Sequence, residues 1–409
     1  MSVEVRRLEG DDEFRAFLEC DAISFGVALR EAEVPLAGAF VEPDRAMGAF
    51  EGGRLVGACA NLSMEVTVPG PAPVPCAGVT YVSVLPSHRR RGILTAMMGR
   101  LLDDAEQRGE PMAVLIASEG SIYGRFGFGA ATQAATYELE KAHARFRDAP
   151  RTDGALRVVG QQEAATILPA VHAANRAAVP GNCSRSEGWW GWHLRDAEED
   201  REGASPMYHV VHEPPGGGPP DGYVSWRVEQ RWAPNADSVA SVVDHSASGP
   251  GVRLALLELV CHLDLVSTTR LRAFPVDDPL RWALADPRRL LTTSVHDMLW
   301  LRTLDVPRCL AARSYRVEDR VVLEVEDVFR PARGGRFALD TRDGVTCEPT
   351  GEPADLAIAA ADLGALYLGG VGAAVLADAG RLRPLRDGAV GRATRLFATD
   401  RAPYGDTDF

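Results

Sequence analysis

VTYVSVLPSHRRRGILTAMMGRLLDDAEQRGEPMAVLIAS, residues 79–118, joins an apolar run, three consecutive arginines, a glycine and a segment with helical spacing. Val79 to Val84 is almost wholly apolar and reads as a strand buried on both faces, ended by Pro86. Past Gly92, the residues Leu94, Met97, Met98, Leu101, Leu102 and Ala105 recur at helical spacing, with Gly109 as the C-terminal cap. Met112 to Ser118 reads as a second buried strand. Strand, basic loop, helix and strand in that order predict two parallel strands joined by a crossover.

The basic loop opens a helix, and that placement gives it chemistry. Free N–H groups at a helix N-terminus and the macrodipole favour an anion. Gly92 lets the backbone approach closely, and arginines add charge-assisted hydrogen bonds to phosphate. A pyrophosphate suits such a site. The other readings of HRRRG are a solvated basic turn and a nucleic-acid patch. The second needs a longer exposed run and a broad basic surface, whereas this chain of 409 residues has a net charge of -13. That acidity suits a cationic substrate as well as plain solubility.

Composition places the chain among globular proteins of two to four domains. The seven cysteines are odd in number and widely spaced without a C-x-x-C, which fits reduced thiols rather than a disulfide framework or zinc site. MSVEVRRLEGDDEF has no apolar signal core, and LALLELVCHLDLV carries Glu258 and Asp264, so it reads as a core helix and not a membrane span. A cytoplasmic protein is expected, with no metal, nucleic acid or membrane partner.

The chain divides at about residues 150 and 297. In 1–150, FVEPDRAMGAFEGGRLVGACANLSMEVTV is a hairpin turning at Gly52-Gly53, and PGPAPVP is read as a connection. In 151–297, the strands SPMYHVVH, GYVSWRVEQ and SVASVVDH precede a loop into an amphipathic helix. This is a second strand–loop–helix unit with one arginine, Arg253, in place of three. In 298–409, RVVLEVEDVFRPARGGRFALDTRDGVTCEPT alternates as strands, ADLAIAAADLGALYLGGVGAAVLADAGRLR reads as a strand and two helices, and LFATDRAPYGDTDF has no regular period. ALYLGGVGAAVLADAG also suggests a lipid or sterol cavity, although small residues at helical spacing more often mean close packing.

The loop resembles motif A of the GNAT acetyltransferases, R/Q-x-x-G-x-G/A, here Arg89-Arg90-Arg91-Gly92-Ile93-Leu94. Its final Leu is closer to the R-R-R-G-I/L-L variant of the enhanced intracellular survival (Eis) family. ASEGSIYGRFGFG (117–129), HDMLWLRTLDVP near residue 300, GGRFAL, LGALYLGG and a terminal Phe follow in the family's order and cover the chain. The resemblance implies an α/β fold: a catalytic GNAT domain (1–150), a degenerate central GNAT domain (151–297) that binds no cofactor, and a sterol-carrier-like domain (298–409). It also implies hexamers and transfer of acetyl groups from acetyl-CoA to amines, including several on one aminoglycoside. By the family's motifs, Val82, Ser83 and Val84 meet the pantetheine arm, Arg90, Arg91, Gly92, Ile93, Leu94 and Thr95 the pyrophosphate, and Ser118 and Glu119 border the cofactor. Arg90 and Arg91 hold the stronger claim to the phosphates and Arg89 the weaker.

Acetyl transfer needs a neutral amine and a protonated leaving thiolate. Read alone, Tyr123 is a packed ring whose hydroxyl finds a partner; the match to IYGRFG makes it the general acid. The base implied by the family is the C-terminal carboxylate, here on Phe409. His88 reads as a loop residue, His209 and His212 as a poor metal pair, and Asp244-His245-Ser246 as a triad in composition only. Ser24, Phe25, Glu31, Glu33, Trp300 and Asp408 border the expected amine pocket, while Val27 stands where the comparison expects an acid. Acetylation of a protein or peptide lysine would use the same chemistry.

Overall fold

The computed structural model describes residues 3–70, 72–147, 151–232 and 237–409. The chain begins with β1 (Glu4–Arg7), α1 (Gly10–Phe25), α2 (Val34–Phe40), β2 (Ala46–Glu51), β3 (Arg54–Val68), β4 (Ala72–Val84), α3 (Ile93–Gln107), β5 (Met112–Ile116) and β6 (Gly129–Ala130). Gly52 and Gly53, at φ 57 and 80, form the two-residue hairpin between β2 and β3; such a turn needs two left-handed residues. β4 and β5 are parallel, paired from Cys76–Met112 to Gly78–Val114. α3 buries Met97, Met98, Leu101, Leu102 and Ala105 in the core of this layer, each large side chain contributing about 1.5–3 kcal/mol.

The chain continues through β7 (Gln133–Glu140), β8 (Ala155–Val159), α4 (Gln161–Asn175), α5 (Glu187–His193), β9 (Tyr208–Glu213), β10 (Gly222–Glu229), β11 (Ser238–Ala247), α6 (Pro250–Cys261), β12 (Val266–Pro275), α7 (Leu280–Ala283), β13 (Leu291–Asp297) and β14 (Leu299–Thr303). β11, α6 and β12 repeat the strand–helix–strand unit, again with parallel strands. Last come α8 (Val306–Ala312), β15 (Arg320–Glu326), β16 (Gly335–Asp340), β17 (Thr346–Pro349), β18 (Leu356–Ala359), α9 (Ala360–Tyr367), α10 (Ala373–Asp378), β19 (Leu382–Pro384) and α11 (Ala389–Phe397). Residues 398–409 form an irregular tail.

Among the described residues the strands assemble into two seven-stranded sheets and one of five strands. The sheets cross the sequence divisions at 150 and 297. β7 lies between β13 and β12 in the second sheet, and β14 lies between β5 and β6 in the first. β14 pairs with β5 along its whole length, Leu299–Ile116 to Thr303–Met112. It thereby satisfies a sheet edge that would otherwise expose backbone donors and acceptors.

Three local readings change. PGPAPVP is not only a connection: β4 starts at Ala72, with Pro73 and Pro75 paired to Thr67 and Glu65 of β3. Pairing with β5 begins only at Cys76, so the prolines sit where that edge requires no N–H donor. Val79 to Val84 is not buried on both faces, since only Val79 and Ser83 are buried and the rest are half-buried. The stretch before the tail holds a helix, α11, whose Ala389, Ala393, Leu396 and Phe397 form its buried face.

The first and third layers share one core, in which Val66, Met112, Val114 and Leu301 meet Leu323, Leu356, Leu363 and Leu366. Ala365, Leu366, Tyr367, Leu368 and Ala373 are buried packing residues, so the small-residue run serves close helix–sheet contact. A Cβ added at Gly129 would lie 1.8 Å from the carbonyl oxygen of Ala361 in α9. Among the described residues no helix is long and apolar enough to cross a membrane. Gly129→Ala is therefore expected to destabilise by about 1–3 kcal/mol through overpacking, read as a lowered melting midpoint.

Candidate active site

β4 and β5 separate after Gly78 and Val114. β4 runs on to Val84 against β3 alone. A bulge accompanies the parting: Ala60 pairs with Thr80 and Ala58 with Ser83, leaving Tyr81 and Val82 opposite the single residue Cys59. Tyr81 has φ 52. Bulges re-aim strands next to functional sites, and this one leaves the Val82–Val84 edge without a partner on the β5 side.

Two cavities meet at the parting. One, of about 750 Å³, is lined by Val82 to Val84, Arg89, Arg90, Gly92 to Thr95, Ser118 and Glu119. The other, of about 760 Å³, is lined by Asp21, Glu33, Trp189, Trp192, Asp408 and Phe409 among others. Phe25, Val82, Ser118 and Tyr123 line both. A thioester reaching through the first cavity would meet an acceptor in the second at this junction.

The loop entering α3 is shaped for an anion. Arg90 and Gly92 take φ 61 and 81, so left-handed residues flank Arg91 before the helix, an arrangement that lets successive amides converge on a phosphate. The three arginines differ from the expected order. Arg89 and Arg90 line the cavity and Arg91 does not. Arg91 pairs instead with Glu51, which His88 Nε2 also contacts at 3.2 Å. Arg89 is steadied by the carbonyls of Val84 (3.4 Å) and Ser24 (3.3 Å). Arg125, which sequence reasoning passed over, also lines the cavity.

Tyr123 sits in a single 3-10 turn and is 5% exposed. Burial raises its hydroxyl above the ordinary phenol value; Ser118 eases this and the Glu119 charge adds to it. It is therefore a neutral donor at physiological pH.

The second cavity has an aromatic wall and a divided set of acids. Glu33 and Asp200 are matched by Arg30 and Arg195, and Asp196 by Arg201 and Arg227. Asp21 has no such partner among the described residues, and its Oδ1 is buried without a hydrogen bond. Burial pushes the Asp21 carboxyl up to about 6, with Ser83 easing part of the shift. Asp408 and Phe409 enter from the tail. The Trp189 indole N–H donates to the Asp408 carbonyl at 2.7 Å, and the Phe409 ring lies over Gly78, 3.2 Å from where a Cβ would stand. Asp21 was the polar break in the buried face of α1, beside Phe17, Leu18, Cys20 and Ala22. Trp189, Trp192 and Arg185 carried no signal that could be read without the fold.

Other expected residues fall elsewhere. Trp300 lines neither cavity; its indole donates to Asp297 at 2.5 Å. Glu31 pairs with Arg15 outside the cavities, and Ser24 lines the first cavity. Val27 lines the second cavity. His209 bonds Ser225 and Gln161, and His212 bonds Thr152 and Asp221. Asp244 is held by Arg185 and Tyr223, while His245 stacks on Phe274. No group of three or more metal-ligating side chains occurs among the described residues.

Comparison with known proteins shows the family. Two family models described as acetyltransferase (GNAT) domains match residues 4–131 and 181–304, and a sterol carrier protein domain matches 306–405. The chain is 40% identical over 409 residues to an uncharacterized N-acetyltransferase of Streptomyces avermitilis, covering 99% of each. It is 36% identical over 372 residues to N-acetyltransferase Eis of Mycobacterium tuberculosis, covering 90% of this chain and 88% of that one. The crystal structure of Eis1 from Mycobacterium abscessus superposes with a TM-score of 0.90 at 35% identity, over 99% of this chain and 100% of that one.

Two predictions follow from the charges. Removing a guanidinium that bonds a phosphate costs about 1.5–3 kcal/mol. Arg89→Ala and Arg90→Ala should therefore each weaken coenzyme A binding at least about tenfold by calorimetry, with Arg91→Ala nearly silent. For Asp21 the folded carboxyl titrates near 6 and the ordinary value is 3.8, so its charge costs stability above pH 6 and nothing below pH 3.8. Asp21→Asn should raise the unfolding free energy at pH 7.5 by up to about 3 kcal/mol, read by denaturant titration, the gain shrinking as pH falls from 6 to 4.

Proposed function

The chain belongs to the Eis family of N-acetyltransferases, and from that premise we propose that it acetylates polycationic amines, aminoglycosides among them, by direct transfer from acetyl-CoA. The observation that carries the reading is the junction of the two cavities at Val82, Ser118 and Tyr123. When bound, acetyl-CoA supplies a thioester whose acyl carbon an amine can attack.

Arg89, Arg90 and the first-turn amides of α3 fit its phosphates, and the unpaired Val82–Val84 edge fits the amides of its arm. The terminal carboxylate of Phe409, ionised at neutral pH, takes the proton from the acceptor ammonium. A backbone N–H at the β4 bulge polarises the carbonyl under attack. The Tyr123 hydroxyl, kept protonated by burial, gives its proton to the departing sulfur. Asp408, Asp21 and the Phe40, Trp189 and Trp192 rings give the acceptor side the mixed anionic and aromatic lining that a bulky polyamine requires. A cavity of about 760 Å³ also exceeds what a single lysine side chain would fill, which favours the small polycation over a protein acceptor.

Thiol release on mixing the protein with acetyl-CoA and kanamycin or neomycin is the direct test; silence with every aminoglycoside and polyamine tried would overturn the substrate reading. Tyr123→Phe and deletion of Phe409 should each lower kcat by about 10²–10⁴ with acetyl-CoA KM little changed. Wild-type rates in both would remove the acid–base assignment.

A further inference from the structure

The second sheet repeats the parting that makes the first site. β11 and β12 pair in parallel from Ser238–Val266 to Val242–Leu271 and then separate. β11 continues to Ala247 against β10, and β12 continues to Pro275 against β7. A bulge again marks the parting: Val242 pairs with Trp226 and Asp244 with Ser225, leaving Val243 over. α6 then follows β11 as α3 follows β4. Its first-turn guanidinium, Arg253, is already paired with Asp278, a fully buried carboxylate, at 3.0 Å for Nη1–Oδ1. No arginine remains free on that turn for a phosphate.

The chain's own tail occupies this wedge. Arg401 Nε pairs with Asp277 at 2.7 Å, just past the end of β12, and the Ala402 N–H donates to the same carboxylate at 3.1 Å. Tyr404 spans the gap, its hydroxyl donating to the Ala273 carbonyl of β12 and its ring lying 6.4 Å from that of His245 on β11. Arg185, with its side chain 1% exposed, then joins strand to tail. It donates to Asp244 of β11 at 2.8 Å, to Thr407 Oγ1 at 3.1 Å and to the Asp406 carbonyl at 3.2 Å, and its Nη2 lies 3.2 Å from Asp406 Oδ1. Its guanidinium also lies 4.1 Å from the ring centroid of Trp189, whose indole holds Asp408. Chain ends ordinarily fray, yet Tyr404 is 5% exposed and Thr407 2%.

We propose that the β11–β12 wedge of the central domain is a receptor for residues 401–409, standing where the first domain holds its acyl donor, and that Arg185 is the positioning residue that aims Asp408 and Phe409 at the amine cavity. The central domain then binds no acetyl-CoA because a segment of the same chain fills the place. Against the pull of burial, Arg185 and His172 hold the Asp406 carboxyl below the usual range, which agrees with a tail fastened by charge. The kinetic consequence rests on Phe409 acting as base, whereas the docking itself does not.

Amide hydrogen exchange on the full-length chain separates the two. In Arg185→Met, exchange across residues 403–408 should rise at least tenfold. Coenzyme A should still titrate to one site per chain with wild-type affinity, which also reports that the first domain is folded. kcat should fall tenfold or more with acetyl-CoA KM unchanged, and Arg185→Lys should recover part of both effects. Should Arg185→Met fail to bind coenzyme A, Asp406→Asn decides, since it cuts the tail side of the pair and leaves Arg185 with Asp244. Unchanged tail exchange in a variant that still binds coenzyme A, or a second coenzyme A site in the wild type, overturns the proposal. A loosened tail with wild-type kcat supports the docking and overturns the Phe409 base instead.

Discussion

Everything in the site depends on two parallel strands that stop pairing. β4 and β5 share three register pairs and then diverge. A bulge at Tyr81 and Val82 accompanies the parting on β4, and β14 pairs the far edge of β5. The wedge so opened gives one cavity its unpaired strand edge and sets the second against it at Val82, Ser118 and Tyr123. The basic loop contributes only because it begins a helix at the mouth of that wedge.

Much of this was legible in the residues. The apolar run, the glycine after the arginines and the helical spacing of Leu94 to Ala105 predict the strand–loop–helix–strand unit, and β4, α3 and β5 form it. The division of labour among the arginines was not legible. Three adjacent residues point in different directions, and Glu51, 40 residues away in the sequence, draws off Arg91. The burial of Val79 to Val84 was overestimated for the same reason the site exists: an apolar strand that lines cavities has the composition of one packed on both faces. Trp300 and Trp189 show the limit of reading by neighbourhood. Trp300 sits in a matching segment yet lines neither cavity, and Trp189 enters one from the second domain.

The cavity that Asp21 lines also shows why a count of acids says little. Most of its carboxylates are matched by arginines that line or border the same walls, so their net field is small. What remains is Asp21, with a buried oxygen that bonds nothing, together with the acids of the tail. An unpaired carboxylate in that position costs the fold free energy that a bound ammonium would return.

The exchanged strands have a consequence for synthesis. β14, residues 299–303, is the strand that lies between β5 and β6 in the first sheet. That sheet therefore cannot close when the first 150 residues leave the ribosome. A nascent chain must carry an open β5 edge through synthesis of the whole central domain. The first sheet can be completed only after residues 299–303 have been synthesised and have left the ribosome.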